Sequence, residues 1–208
     1  MGGLTLLVVL GIAGGGWWLL EQRAPSATAG PAPSGVDRDQ TEEAVAGSLP
    51  LKEGEDYYVH VRLVEVRDTN GGSSWDAGGG APDLYVRLTW NGTPVHDSAH
   101  RGDSLTAEWD LMRVNVKDAV LTNEIDVASA INAPIIQSGP GGLLGVEIWD
   151  DDDLSPRDAV GRFDLPVKLL QEGVQTFRFD GGNVARLEID LIPASLTLPE
   201  LIDRYSNR

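Results

Sequence analysis

Carboxylates crowd two stretches of this 208-residue sequence. The denser is Trp149-Asp150-Asp151-Asp152-Asp153-Leu154-Ser155-Pro156-Arg157-Asp158, directly behind the apolar run Leu143 to Trp149. Adjacent carboxylates repel one another, and a hard divalent cation with oxygen ligands relieves that repulsion. One acidic run by itself also fits a solvated turn. A second one, Trp75-Asp76-Ala77-Gly78-Gly79-Gly80-Ala81-Pro82-Asp83, again ends where an alternating segment begins. Two acidic loops abutting two strands point to a shared cation site.

The composition narrows what else such residues could do. Acids outnumber bases 32 to 16, for a net charge of -16, and the lysines are confined to Lys52, Lys117 and Lys168. No basic stripe exists to displace counterions, so nucleic acid is excluded as a partner. Anionic lipid is repelled as well, unless a cation intervenes. The absence of cysteine removes disulfides, thiolate metal sites and a cysteine nucleophile. His60, His96 and His100 show no metal-site spacing. An EF-hand needs a glycine and a closing glutamate that the run from Asp150 lacks, and Gly78 to Gly80 are not followed by the Gly-Lys-Ser/Thr of a phosphate cradle. Paired acids such as Asp76 and Asp150 suit glycoside hydrolysis. Five acids in two loops exceed that mechanism, however, and no positioned base or nucleophile accompanies them, so no catalytic activity is expected.

The elements that must position these loops read as β. Val59, Val61 and Leu63 alternate with His60 and Arg62 across Tyr57 to Arg67, and Leu84, Val86, Leu88 and Trp90 alternate with Tyr85, Arg87 and Thr89 before the turn Asn91-Gly92. Further strands are expected at Leu111 to Val116, Leu143 to Trp149, Val160 to Leu165, Gln175 to Phe179 and Ala185 to Ile192. Short strands separated by Gly, Asp, Asn and Pro predict an all-β antiparallel sandwich. Residues 118–142 break the pattern and read as an insertion, with a short helix at Glu124 to Ile131. Pro199 to Tyr205 reads as a terminal helical turn or two.

With the strands assigned, the sequence resembles the C2 domain family over residues 55–193. Asp76 through Asp83-Leu84-Tyr85-Val86 is similar to the family's aspartate, glycine-bearing loop and Asp-Pro-Tyr-Val. Asp150, Asp152, Asp158 and Ala159-Val160-Gly161 match its third-loop spacing, and Ser155 falls where the family often has serine. Leu105-Thr106-Ala107-Glu108-Trp109-Asp110 is similar to its Leu-Asn-Pro-x-Trp-Asn-Glu stretch. The resemblance implies an eight-stranded C2-like sandwich holding calcium through Asp76, Asp83, Asp150, Asp152, Asp158 and Ser155, and meeting phospholipid headgroups. Leu84 replaces the family's usual proline, and Asp76 to Asp83 is one residue longer than its common spacing, so Asp68 stands beside Asp76 as a first-loop ligand. Trp75 and Leu154 are the membrane-insertion candidates, with capping of the sandwich core as the alternative for each.

Four segments are expected: a hydrophobic anchor over 1–23, a flexible linker over 24–54, the domain over 55–193 and a tail over 194–208. Residues 4–20 carry no charge and end in Trp17-Trp18, as a single-pass membrane helix does. Cleavage after Ala27-Thr28-Ala29, giving a secreted or periplasmic chain, is the alternative. Residues 24–51 hold too little apolar surface to order themselves. Together these expectations describe a membrane-tethered calcium-binding module that engages phospholipid. A calcium-independent protein-interaction module on the same scaffold is the competing expectation.

Overall fold

The computed structural model describes residues 49–76, 79–112, 130–151 and 157–206. The expected anchor and most of the linker, the segment 113–129 and the centre of the denser acidic loop lie outside them. Among the described residues nine strands, β1 (Asp56–Val66), β2 (Leu84–Trp90), β3 (Thr93–Asp97), β4 (Thr106–Glu108), β5 (Ile135–Gln137), β6 (Leu143–Asp150), β7 (Asp158–Pro166), β8 (Gly173–Arg178) and β9 (Val184–Pro193), precede the helix α1 (Leu198–Ser206), with a short 3-10 turn at Val167–Leu169 between β7 and β8. They form two antiparallel sheets, β4-β1-β9-β8 with β5 also on β1, and β3-β2-β6-β7.

The period-2 pattern explains the sandwich. Val59 and Val61 of β1, Leu187, Ile189 and Leu191 of β9, Val86 and Leu88 of β2, and Val146 and Ile148 of β6 point into one core, each at most 6% exposed. Asn91 and Gly92 both take positive φ, 50° and 80°, the conformation of a two-residue hairpin turn, and join β2 to β3 as the sequence predicts.

The expected eight strands become nine because one lane is cut in two. Both β4 and β5 pair with β1 along the same edge, β4 opposite Leu63 to Glu65 and β5 opposite Asp56 to Tyr58. The chain leaves that edge at Trp109 and returns at Pro134. The predicted strand Leu111 to Val116 is not a strand over its described part. Met112 makes only an isolated bridge to Ile131.

Strand β1 is also covered on both faces. A second apolar cluster of Tyr58, Leu111, Ile131, Ile192 and Leu201 lies on the outer face of the β1–β9 pair, beneath α1. Ordered structure therefore runs past both expected domain limits. Leu201 in the expected tail is fully buried. At the other end Leu51 packs on the core, the Glu172 amide donates to Leu49 O at 2.7 Å, and Pro50 bridges Gln171.

Strand directions give the sandwich two poles. One carries the β1–β2, β3–β4, β6–β7 and β8–β9 connections. The other carries the β2–β3 turn, the segment that leads into β1 and the end of β9. Among the described residues no helix is long and apolar enough to cross a membrane.

Candidate functional site

Three connections bring aspartates to the first pole. Asp83 immediately precedes β2, Asp150 ends β6 and Asp158 begins β7, and the register sets Leu84 opposite Asp150 and Asp150 opposite Asp158. Three neighbouring strand ends thus place the two sequence-predicted loops side by side. The β3–β4 loop is pinned against them by reciprocal backbone bonds between Leu84 and Arg101, 2.9 Å and 2.8 Å.

A chain of carboxylate–amide bonds ties the loops together. The Ala81 amide donates to Asp103 Oδ1 at 2.9 Å, the Asp103 amide to Asp83 Oδ1 at 2.6 Å, and the Asp83 amide to Asp150 Oδ1 at 2.7 Å. Backbone amides offset negative charge at close range, which lets Asp150 sit only 2% exposed. Glycines make the approach feasible. A methyl at Gly80 would run into Asp76 Oδ2 and lie 3.3 Å from Asp103 Oδ1, and one at Gly102 would lie 3.2 Å from Asp83 Oδ1.

Of the predicted ligands, Asp76, Asp83, Asp150 and Asp158 stand at this pole. Asp152 and Ser155, with the insertion candidate Leu154, lie outside the described residues. Asp68 is exposed at the end of β1, whereas Asp76 turns back over Gly80 toward Asp103. Trp75, offered above to a bilayer, takes its alternative place. It is 8% exposed within the core cluster, and its indole N–H donates to Arg67 O at 2.9 Å.

Asp103 was missed, because a lone aspartate in Arg101-Gly102-Asp103-Ser104 is indistinguishable from ordinary turn chemistry. It does occupy the left-handed region, at φ 48°.

Asp151, one residue past β6, is paired outside this set. Its carboxylate takes Arg157 Nε at 2.6 Å and His100 Nδ1 at 3.0 Å. Tyr85 stacks on His100 with ring centroids 4.8 Å apart, and the Arg157 guanidinium lies 5.2 Å above the Tyr85 ring. Partial burial raises the Tyr85 phenol above its ordinary range, against the lowering effect of Arg157. The hydrogen bond that Arg157 donates to Asp151 raises the guanidinium. This cluster braces the two stems of the β6–β7 loop from its outer side.

Among the described residues no group of three or more histidines, aspartates or glutamates is arranged to hold a metal ion. The donor type nevertheless suits calcium, since every predicted ligand offers a hard oxygen. The sequence matches no protein-family model and no curated protein. Solved structures similar to the chain include one described as a C2 domain, 11% identical, covering 66% of this chain and 98% of its own, with a TM-score of 0.41. Another is a C2 domain of plant extended synaptotagmin 1, 14% identical over 70% of this chain and 100% of its own, at 0.44. Human GIVD cytosolic phospholipase A2 is 16% identical over 71% of this chain at 0.45, the overlap spanning only 18% of the enzyme.

Proposed function

We propose that the protein is a non-catalytic, calcium-dependent membrane-binding module. The observation that carries this is the convergence of Asp76, Asp83, Asp103, Asp150 and Asp158 from three connections onto one pole of a rigid sandwich. Asp83 and Asp150, with Asp152, Asp158 and Ser155 from the β6–β7 loop, supply oxygens, and Asp76 is the first-loop partner. The amide bonds hold the β1–β2 and β3–β4 loops in register beside Asp150. Bound calcium supplies positive charge at a pole that otherwise repels anionic lipid, and phosphate oxygens complete its shell. With Trp75 enclosed in the core, lipid contact at the first loop is electrostatic and not insertional. The apolar segment 4–20 would keep the module at a membrane. In a processed, secreted chain the same tip would act free.

The test is calorimetric titration of calcium into residues 49–208 beside the Asp152→Asn/Asp158→Asn double variant, followed by sedimentation with phosphatidylserine vesicles. Saturable heat in the parent alone, with calcium-dependent pelleting, is expected. A folded parent that gives no heat at millimolar calcium overturns the proposal. The carboxylate–amide bonds favour one second reading, since they satisfy acids without an ion. On that reading the sandwich binds a protein partner independently of calcium, and vesicle binding is absent with or without the ion.

A further inference from the structure

Between the two short strands that share one edge of β1 lies a gap opposite Val59 to Arg62. It is closed by a neck: the Trp109 amide donates to Arg62 O at 3.0 Å, the Val59 amide to Pro134 O at 3.0 Å, and the Asn132 amide to Leu111 O at 2.8 Å. His60 sits under this neck, 5% exposed, with Nε2 2.9 Å from Trp109 O. A carbonyl only accepts, so Nε2 carries the ring proton and Nδ1 is left as a bare lone pair. Nδ1 is buried without a hydrogen-bond partner, and the residue helps line a cavity of about 10 Å³, room for no more than a single water. The walls are mostly apolar, among them Val59, Val86 and Leu88, with His96, Ser98 and Asn132 as polar neighbours.

We propose that His60 is an acid-sensitive latch, which holds the neck formed by Trp109–Met112 and Ala130–Pro134 on β1 at neutral pH and releases it on protonation while the two sheets stay paired. A proton can enter only at Nδ1, where it places a charge in buried, largely apolar surroundings with no hydrogen bond in place to receive it. The charged groups around the ring do not rescue it. Arg62 on the same strand and His96 on β3 oppose the proton, whereas Asp110 in the neck favours it. Asp190, opposite His60 on β9, is fully buried and engaged through other contacts, although its Oδ1 receives no hydrogen bond and does not count among the leading influences on the ring. Burial dominates, lowering the imidazole from 6.5 to about 4.

The sign follows from the lowered value. With the neck closed the ring is neutral, whereas the open form takes up a proton at the ordinary 6.5. Closure is therefore fully favoured above that pH. It weakens as pH falls from 6.5 toward 4, by up to about tenfold in the opening equilibrium per pH unit.

Hydrogen exchange on the full chain from pH 7 to 4.5 tests it, with each rate divided by the intrinsic amide rate to give an opening constant. In the parent, the opening constants of Trp109 to Met112 and Ala130 to Ala133 should rise as stated, while those of Val146 and Ile148 on the central strand β6 stay flat. In His60→Gln, which keeps an N–H for Trp109 O but does not titrate, the neck should respond to pH far less. Equal responses in the two proteins, no response in the parent, or sheets that open together with the neck would each overturn the latch. Should the Gln variant fail to fold, the parent's own His60 ring is followed by NMR. A ring midpoint well below 6.5, with neck opening that rises over the same range, supports the latch. An ordinary midpoint, or ring titration without neck opening, refutes it.

Discussion

Asp150 is the most enclosed described carboxylate at the acidic pole, and its Oδ1 already receives the Asp83 amide. Asparagine preserves that acceptor and the side-chain shape while removing the charge. Asp150→Asn should therefore melt no lower than the parent in calcium-free buffer, yet bind calcium about tenfold or more weakly. Paired thermal melts and titrations separate these effects, and an unchanged affinity would remove Asp150 from the ligand set. Gly80→Ala makes a complementary case from the backbone side. The added methyl collides with the Asp76 carboxylate, so calcium affinity should fall while the sandwich keeps its melting point, as the same two measurements would show. Unaltered calcium affinity would mean that Asp76 does not need its present position.

At the scale of elements, α1 is built by local chemistry and held by burial. The Thr197 amide and hydroxyl both donate to Glu200 Oε2 at 2.7 Å, a capping arrangement that keeps the Glu200 carboxyl below its usual range. With a depressed value, this cap is intact above the ordinary carboxylate range and is lost as acid protonates Glu200. Leu201 then fills the outer cluster with Tyr58, Leu111, Ile131 and Ile192. Leu201→Ala should cost roughly 2–5 kcal/mol in urea unfolding, far more than a dispensable tail would. The long strands were legible because seven to eleven residues of alternation leave little choice of face, and β1, β2, β6 and β9 fall close to where the pattern places them. Strands β4 and β5 were not, since three residues each with one buried position carry no period to detect. His60 and Trp75 misled for a related reason. Polarity suggested solvent for His60 and loop position left Trp75 between bilayer and core, but the neck over His60 comes from distant chain and the Arg67 carbonyl receives the Trp75 indole. The aspartates of the two loops were readable as residues, whereas Asp103 became visible only when folding set it against Asp83 and Ala81.

Over the whole molecule, acidic excess and topology act together. The described aspartates of the three connections share one pole, with Arg101, Arg157 and His100 as the nearby bases, while the chain enters and leaves at the opposite pole. That shared doorway has a mechanical consequence. Strands β1 and β9 are neighbours, and Tyr57 lies opposite Pro193. Tension applied through the two chain ends would strip α1 and the Leu49–Pro50 contacts first. It would then peel β9 from β1 one backbone pair at a time, starting at that rung. Because ladder hydrogen bonds lie across the strands, such peeling loads them in succession, whereas opposed pulling along the strands loads them together. Single-molecule stretching between residues 49 and 206 should thus yield at lower force than stretching between Asn70, beyond the far end of β1, and residue 206. Equal rupture forces would show that some other contact bears the strain. A domain hung from its own doorway comes undone like a zip.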